Sequence, residues 1–126
     1  KVAVIPGGHA DYTTPQIENA LETFRSEFKE ELGYEFGKQR VSPISVFTNK
    51  DTNGINILYA AKTDFYFPRI LENWRAAKDR GEHNSLFQVS YKEIRQLAET
   101  GKITIKDKEY STTPLCQDCF RLILDA

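Results

Sequence analysis

Apolar residues recur in the first third of the chain at the spacing of an amphipathic helix. They are separated by four, three, four and four positions, and the series is Ile17, Leu21, Phe24, Phe28 and Leu32. This spacing places them on one helical face. Thr14 and Pro15 form a typical helix start, and Gly33 stands where the helix should stop. The pattern therefore predicts a helix over 15–32.

The rest of the chain alternates between apolar runs and turn-forming residues. The pattern predicts strands over 1–5, 39–48 (interrupted by Pro43), 55–63 and 85–89 and a short ribbon of 103–105 with 109–111. It predicts helices over 67–80, with Gly81 beyond the end, and over 91–100 and 114–125. The strands 39–48 and 55–63 are expected to pair as a hairpin. Ser90 with Glu93 is a capping box, and Thr113 precedes a proline at the last helix start. This mixed order predicts an α+β fold or a mixed-sheet sandwich.

Length and charge exclude several classes of protein. The 126 residues suit one domain, and the net charge of -1 gives no strong sign of a nucleic-acid partner. No apolar run is long enough to span a membrane, so no membrane partner is expected. Two cysteines cannot form a disulfide scaffold, which favours a cytoplasmic protein. The chain contains no methionine and Lys1 begins directly in a predicted strand, so we expect a fragment of a longer chain.

Three carboxylates near the end of the first predicted helix are the strongest chemical signal. Glu27, Glu30 and Glu31 have the spacing i, i+3 and i+4, which puts them on one helical face. Their mutual repulsion and the helix dipole both disfavour this arrangement. Oxygen ligands of this type suit Mg²⁺ or Mn²⁺, but a solvated acidic face is the alternative. Spacing alone leaves both interpretations open.

The stretches "VIPGGHAD" and "SEFKEELGY" together resemble the signature of the Nudix hydrolases over residues 7–34. That family's box is a glycine, five residues, a glutamate, seven residues, then Arg-Glu-aliphatic-x-Glu-Glu-x-Gly-aliphatic. The positions that match its second half are Glu27, Phe28, Glu30, Glu31 and Gly33, with Tyr34 in the last apolar place. Glu18 occupies the place of the box's own glutamate, and Gly8 the place of its first glycine.

Two departures distinguish this chain from the box. Nine residues rather than five separate Gly8 from Glu18, and Ser26 replaces the box arginine. In the family that arginine holds the carboxylates of the helix in position. Arg25 is adjacent but points about 100° away around the helix, so it cannot simply substitute.

The resemblance implies a single Nudix-like domain over 1–126, with an α/β/α sandwich and a mixed β-sheet. It implies an Mg²⁺- or Mn²⁺-dependent pyrophosphohydrolase that acts on a nucleoside diphosphate linked to another moiety. The metal ligands would be Glu27, Glu30 and Glu31. The catalytic carboxylates would be Glu27, Glu30 and the loop acid Glu82, for which Asp79 is the weaker alternative. Substrate contacts would come from Gly7, Gly8, His9 and Arg40, and the orienting residues would be Glu18 and Arg25.

Several other residues could bind a ligand or react, but each could also have a purely structural role. Cys116 and Cys119 form a single CxxC in a predicted helix, where packing is the favoured role over metal or redox use. Trp74 is expected in the core. The run Phe65, Tyr66 and Phe67 could stack a nucleobase, and Lys38, like Arg40, could contact phosphate or be solvated.

A second interpretation is a non-catalytic Nudix-like domain that binds a nucleotide or a protein within a larger assembly. A third is an α+β interaction module whose helix is acidic by coincidence. Nudix domains normally place one or two core strands ahead of the glycine pair, and this chain supplies six residues there. We therefore expect that the N-terminal strands are missing or supplied from elsewhere, because an upstream segment has been removed or lies on another chain. The alternative is that the fold closes its sheet in another way. A homodimer or a complementing upstream segment is the protein partner that this implies.

Overall fold

The computed structural model describes residues 2–3, 5, 17–37, 40–49, 53–77 and 85–126. Its elements in chain order are β1 (Val2–Ala3), α1 (Ile17–Leu32), β2 (Val41–Thr48), β3 (Ile55–Ala61), α2 (Phe67–Ala76), α3 (Tyr91–Thr100), β4 (Lys102–Ile105), β5 (Lys108–Thr112) and α4 (Pro114–Asp125). The mixed α+β class is therefore confirmed. No helix in the described ranges is both long and apolar enough to cross a membrane.

The chain divides into two compact units. The terminal unit contains Lys1–Ile5, Pro43–Leu58 and Val89–Ala126, and the acidic-helix unit contains Pro6–Ser42 and Tyr59–Gln88. Each unit has its own buried side chains and is described by itself.

The terminal unit contains a three-stranded mixed sheet in the order β1-β5-β4. β1 runs parallel to β5, and β4 runs antiparallel to β5 with Ile103 opposite Tyr110. The predicted ribbon is thus confirmed. Lys106 and Asp107 form its turn, and both have a positive φ, as a two-residue type I′ hairpin requires.

Helices α3 and α4 of the terminal unit pack against each other and are capped at their starts. The predicted capping box is present, since the Ser90 hydroxyl accepts from the Glu93 N–H and the Glu93 carboxylate accepts from the Ser90 N–H. Gly101 ends α3 in the left-handed conformation. Thr113 caps α4, because its hydroxyl oxygen accepts a hydrogen bond from the Cys116 N–H. Local signals in the sequence therefore account for both helix starts and for the end of α3.

Apolar side chains from α3, α4 and the sheet form the core of the terminal unit. The buried side chains of these elements are Leu97, Ala98, Ile103, Tyr110, Cys116, Cys119 and Phe120, and Leu58 of β3 is also buried in this unit. The Ala98 carbonyl accepts hydrogen bonds from Gln117 Nε2 and Arg121 Nε at 3.0 and 3.2 Å. Side chains of α4 thus satisfy one of the carbonyls that the end of α3 leaves open.

In the acidic-helix unit, the apolar stripe of α1 contacts aromatic rings. The centroid of the Phe24 ring lies 5.0 Å from the ring centroids of both Phe28 and Tyr59. The centroids of the Phe28 and Phe36 rings are also 5.0 Å apart. Trp74 of α2 is buried, as predicted. The described part of α1 agrees with the predicted helix, whose first two residues lie outside the described ranges.

Three predictions of secondary structure need correction. Residues 85–89 form no strand; they are irregular chain that leads into the α3 cap. Helix α2 ends at Ala76, earlier than expected, because Ala77 is already extended. Pro43 does not interrupt β2. Among the described residues β2 pairs only with β3, in a two-stranded sheet, and a proline can occupy the open edge of such a sheet.

Candidate functional site

The three carboxylates of the predicted metal site differ in their exposure. Glu31 is only 7% exposed, whereas Glu27 is half-buried and Glu30 is exposed to solvent. A step of about 100° per residue explains the contrast between the neighbours Glu30 and Glu31. The acidic turn, as we call Glu27, Glu30 and Glu31, therefore extends from the solvent into the interior of its unit.

Gly33 ends α1 directly behind the acidic turn. Its φ is +67°, and its N–H donates to the Lys29 carbonyl at 2.9 Å. A Cβ at this position would lie 2.7 Å from the carbonyl oxygen of Asn73 in α2. Glycine is thus required twice here, by the left-handed backbone and by the close approach of α2.

Arg25, predicted as an orienting residue, holds the segment that follows α1. Its Nε–H donates to the Phe36 carbonyl at 2.7 Å, and its Nη1 lies 3.1 Å from Glu22 Oε1. Ser26, in the place of the box arginine, is exposed. The bonds of Arg25 fix the direction in which the chain leaves the acidic turn.

Several predicted site residues lie outside the described residues. These are Gly7, Gly8 and His9 of the glycine loop, Glu82 and its alternative Asp79, and Lys38. The backbone of Glu18 belongs to α1, but its side chain is outside the description. Their predicted roles stay predictions.

Arg40, the predicted phosphate contact, lies on the surface of the acidic-helix unit. Its Nη2 is 2.8 Å from Asp64 Oδ2, and both side chains are accessible, at 40% and 81% exposure. The hydrogen bond and charge of Asp64 raise the pKa of the Arg40 guanidinium, and the nearby Tyr34 adds a smaller contribution. Arg40 therefore remains charged and within reach of a dissolved anion.

Sequence reasoning overlooked two residues of this unit. The Tyr59 hydroxyl is buried and makes no hydrogen bond within the described part of the chain, and burial raises its pKa. The Arg69 guanidinium carbon lies 5.2 Å from the centre of the Phe65 ring. Phe65 precedes the predicted helix by two positions, so helical spacing gave no signal for this contact.

The two cysteines are free thiols packed in the core of the terminal unit. The Ile5 N–H donates to Cys116 Sγ at 3.4 Å. Burial raises the pKa of the Cys119 thiol to about 11, with smaller contributions from Cys116 and Asp118. The predicted packing role of this pair is confirmed.

Within the described ranges, no three His, Cys, Asp or Glu side chains are gathered as a group that could hold a metal ion. The oxygen donors of the acidic turn still suit Mg²⁺, which proteins commonly bind through one or two carboxylates together with water and substrate phosphates. Comparison of the chain with protein-family models, with curated proteins and with solved structures found no match.

Proposed function

We propose that this chain is a divalent-cation-dependent pyrophosphohydrolase that acts on a nucleoside diphosphate linked to another moiety. The observation that carries the proposal is the acidic turn, which concentrates Glu27, Glu30 and Glu31 where repulsion and the helix dipole disfavour them. A bound cation would offset both costs. The Nudix-like α/β/α sandwich is part of the same proposal.

The exposure gradient of the acidic turn suits this role. Glu30 is exposed and could contact a solvated cation, while Glu27 is half-buried beside it. Bound Mg²⁺ would supply positive charge to the pyrophosphate oxygens that gain negative charge during hydrolysis. Glu31 would anchor the inner end of the site.

The remaining chemistry belongs to the chain's own carboxylates. Glu27 or the loop acid Glu82 would accept a proton from the attacking water, as a general base does. Arg25 would keep the end of α1 in position through its bond to the Phe36 carbonyl. Gly7, Gly8, His9 and Arg40 would contact the substrate phosphates.

Hydrolysis of a substrate panel tests the proposal. ADP-ribose, dinucleoside polyphosphates and nucleoside triphosphates are incubated with the protein and Mg²⁺, and released nucleotide and phosphate are measured. Glu27→Gln and Glu31→Gln are each expected to lower kcat by at least about a hundredfold. Glu72→Gln on the exposed side of α2 is the matched control and should retain full activity.

Thermal unfolding separates loss of function from loss of fold. Mg²⁺ is expected to raise the Tm of the parent protein, and Glu27→Gln should reduce this increase because a native-state ligand site is weakened. If metal binds, the whole panel stays uncleaved and Glu31→Gln changes only binding, the hydrolase proposal is wrong.

A second candidate is a non-catalytic Nudix-like domain that binds a nucleotide. Ser26 favours it, because this exposed hydroxyl cannot supply the positive charge of the box arginine. Arg25 does not compensate, since its guanidinium contacts Phe36 and Glu22. Metal-independent nucleotide binding without turnover would support this candidate.

A further inference from the structure

The acidic-helix unit also carries a surface of aromatic rings and guanidinium groups that follows the acidic turn in sequence. We call it the aromatic–arginine surface, and its residues are Tyr34, Arg40, Phe65, Tyr66 and Arg69. Arg69 lies over Phe65 and its backbone N–H donates to the Tyr66 carbonyl, while the nearby Tyr34 acts on the charge of Arg40. The Tyr34 and Phe65 rings meet edge to face, with centroids 4.7 Å apart at 70°. Tyr34 also packs on the buried Phe36 at 4.3 Å. The Tyr34 and Phe65 rings are therefore fixed to the core by packing.

Both arginines of this surface retain donors for an anion. The Arg69 guanidinium lies over Phe65, with its central carbon 5.2 Å from the ring centre, and this contact with the ring uses none of its N–H groups as conventional hydrogen-bond donors. Arg40 binds Asp64, which is 81% exposed and therefore a screened, exchangeable partner. A phosphate could replace that carboxylate with a bidentate contact to Arg40.

Tyr66, which stands between Phe65 and the first residue of α2 in the sequence, has an accessible ring. It is 85% exposed and is the N-cap residue of α2, yet its side chain makes no capping hydrogen bond. Phe65 is 38% exposed beside it in sequence. Nothing in the described fold requires a large ring at position 66, so its exposed face is available to a flat ligand.

We propose that the aromatic–arginine surface binds a nucleoside diphosphate, with the base on the exposed ring of Tyr66 and the phosphates at Arg40 and Arg69. The choice of ligand rests on the proposed function, which it extends by assigning the nucleotide-recognition residues. Base stacking on an aromatic ring and charge-assisted bonds to phosphate are the two contacts that this combination of side chains supplies. A free inorganic anion would use only half of the surface.

Calorimetric titration with ADP in EDTA tests the inference without metal or turnover. Pyrophosphate and adenosine serve as the two half-ligands. ADP is expected to bind at least about tenfold more tightly than either, since it alone engages the Tyr66 ring and the arginines together. Tyr66→Ala and Arg69→Gln should each weaken ADP binding by about fivefold or more.

Two further variants are expected to leave ADP binding unchanged or to strengthen it. Arg75→Gln, in the last turn of the same helix, is the matched control and should bind ADP like the parent. Asp64→Asn removes the carboxylate that competes for Arg40 and should strengthen both ADP and pyrophosphate binding. A merely structural role for the Arg40–Asp64 pair predicts no such gain.

The outcomes separate this inference from the proposed function. If Tyr66→Ala and Arg69→Gln bind ADP like the parent, or if pyrophosphate binds as tightly as ADP, the inference is wrong even when the chain hydrolyses the panel. If both variants lose ADP binding in EDTA while the panel stays uncleaved, the inference holds and the hydrolase proposal fails. Thermal unfolding of each variant confirms that the losses do not reflect misfolding.

Discussion

The terminal unit and the acidic-helix unit satisfy the rules of local structure to different degrees. In the terminal unit, both helices begin with a side-chain cap and all of the buried side chains that it contributes to the core are apolar. In the acidic-helix unit, α1 ends in a cluster of carboxylates, Glu31 is buried and α2 begins without a side-chain cap. Departures from local rules tend to gather where a protein has a function. The acidic-helix unit is therefore the part of the molecule where a functional site is expected.

The two left-handed glycines give the largest difference between the units. Gly33→Ala should lower the free energy of unfolding by about 3 kcal/mol, since a strained backbone adds to a clash with a backbone oxygen. Gly101→Ala should lower it by about 1 kcal/mol, because its nearest neighbour is the flexible Gln117 side chain at 3.4 Å. Urea denaturation measures both changes. Equal losses would show that the approach of Asn73 does not constrain Gly33.

The reactivity of Cys119 reports whether the core of the terminal unit excludes solvent and reagents. At pH 8 the thiolate fraction of Cys119 should be about a hundredfold below that of an ordinary thiol, because burial raises its pKa to about 11 from 9.0. In a Cys116→Ala variant, modification by a disulfide reagent should be slow in buffer and fast in urea. A native rate equal to the rate in urea would contradict a closed core.

The same thiol makes stability depend on alkaline pH. Between about pH 9 and pH 11 the unfolded chain has lost the Cys119 proton and the folded chain still holds it. The unfolded state therefore binds fewer protons, and the free energy of unfolding falls as pH rises through this window. Cys119→Ala should flatten that decline, and an unchanged slope would assign it to other groups.

Helix caps give a smaller contrast between the units. Ser90→Ala should lower the free energy of unfolding by about 1 kcal/mol, since it removes the acceptor for the Glu93 N–H. Tyr66→Ala, at the corresponding position of α2, removes no capping bond and should cost much less. Chemical denaturation of the two variants checks this order. A larger loss for Tyr66→Ala would give that ring a structural role.

The sequence predicted the terminal unit better than the surface of the acidic-helix unit. Ser90, Gly101 and Thr113 act through neighbours within four positions, so sequence spacing reveals them. The prediction of a strand over 85–89 was wrong, because a strand needs a partner strand and a local sequence pattern cannot identify one. For the candidate site, spacing located the acidic turn and Gly33. It did not reveal the burial of Glu31 or the contact of Tyr34 with Phe65, which depend on tertiary packing.

Removal of the carboxylate from an exposed ion pair is expected to have the smallest effect on stability. One such pair in each unit allows a direct comparison of the two units. Arg40–Asp64 lies in the acidic-helix unit, and Arg121–Asp118 lies in the terminal unit with both side chains more than half exposed. Asp64→Asn and Asp118→Asn should both leave the urea midpoint unchanged, because exposed pairs are screened and contribute little. Only Asp64→Asn should also strengthen pyrophosphate binding, since Arg40 faces a surface with a second arginine at position 69. If both variants strengthened binding equally, the gain would reflect the change in net charge, and the distinction between the two units would be lost.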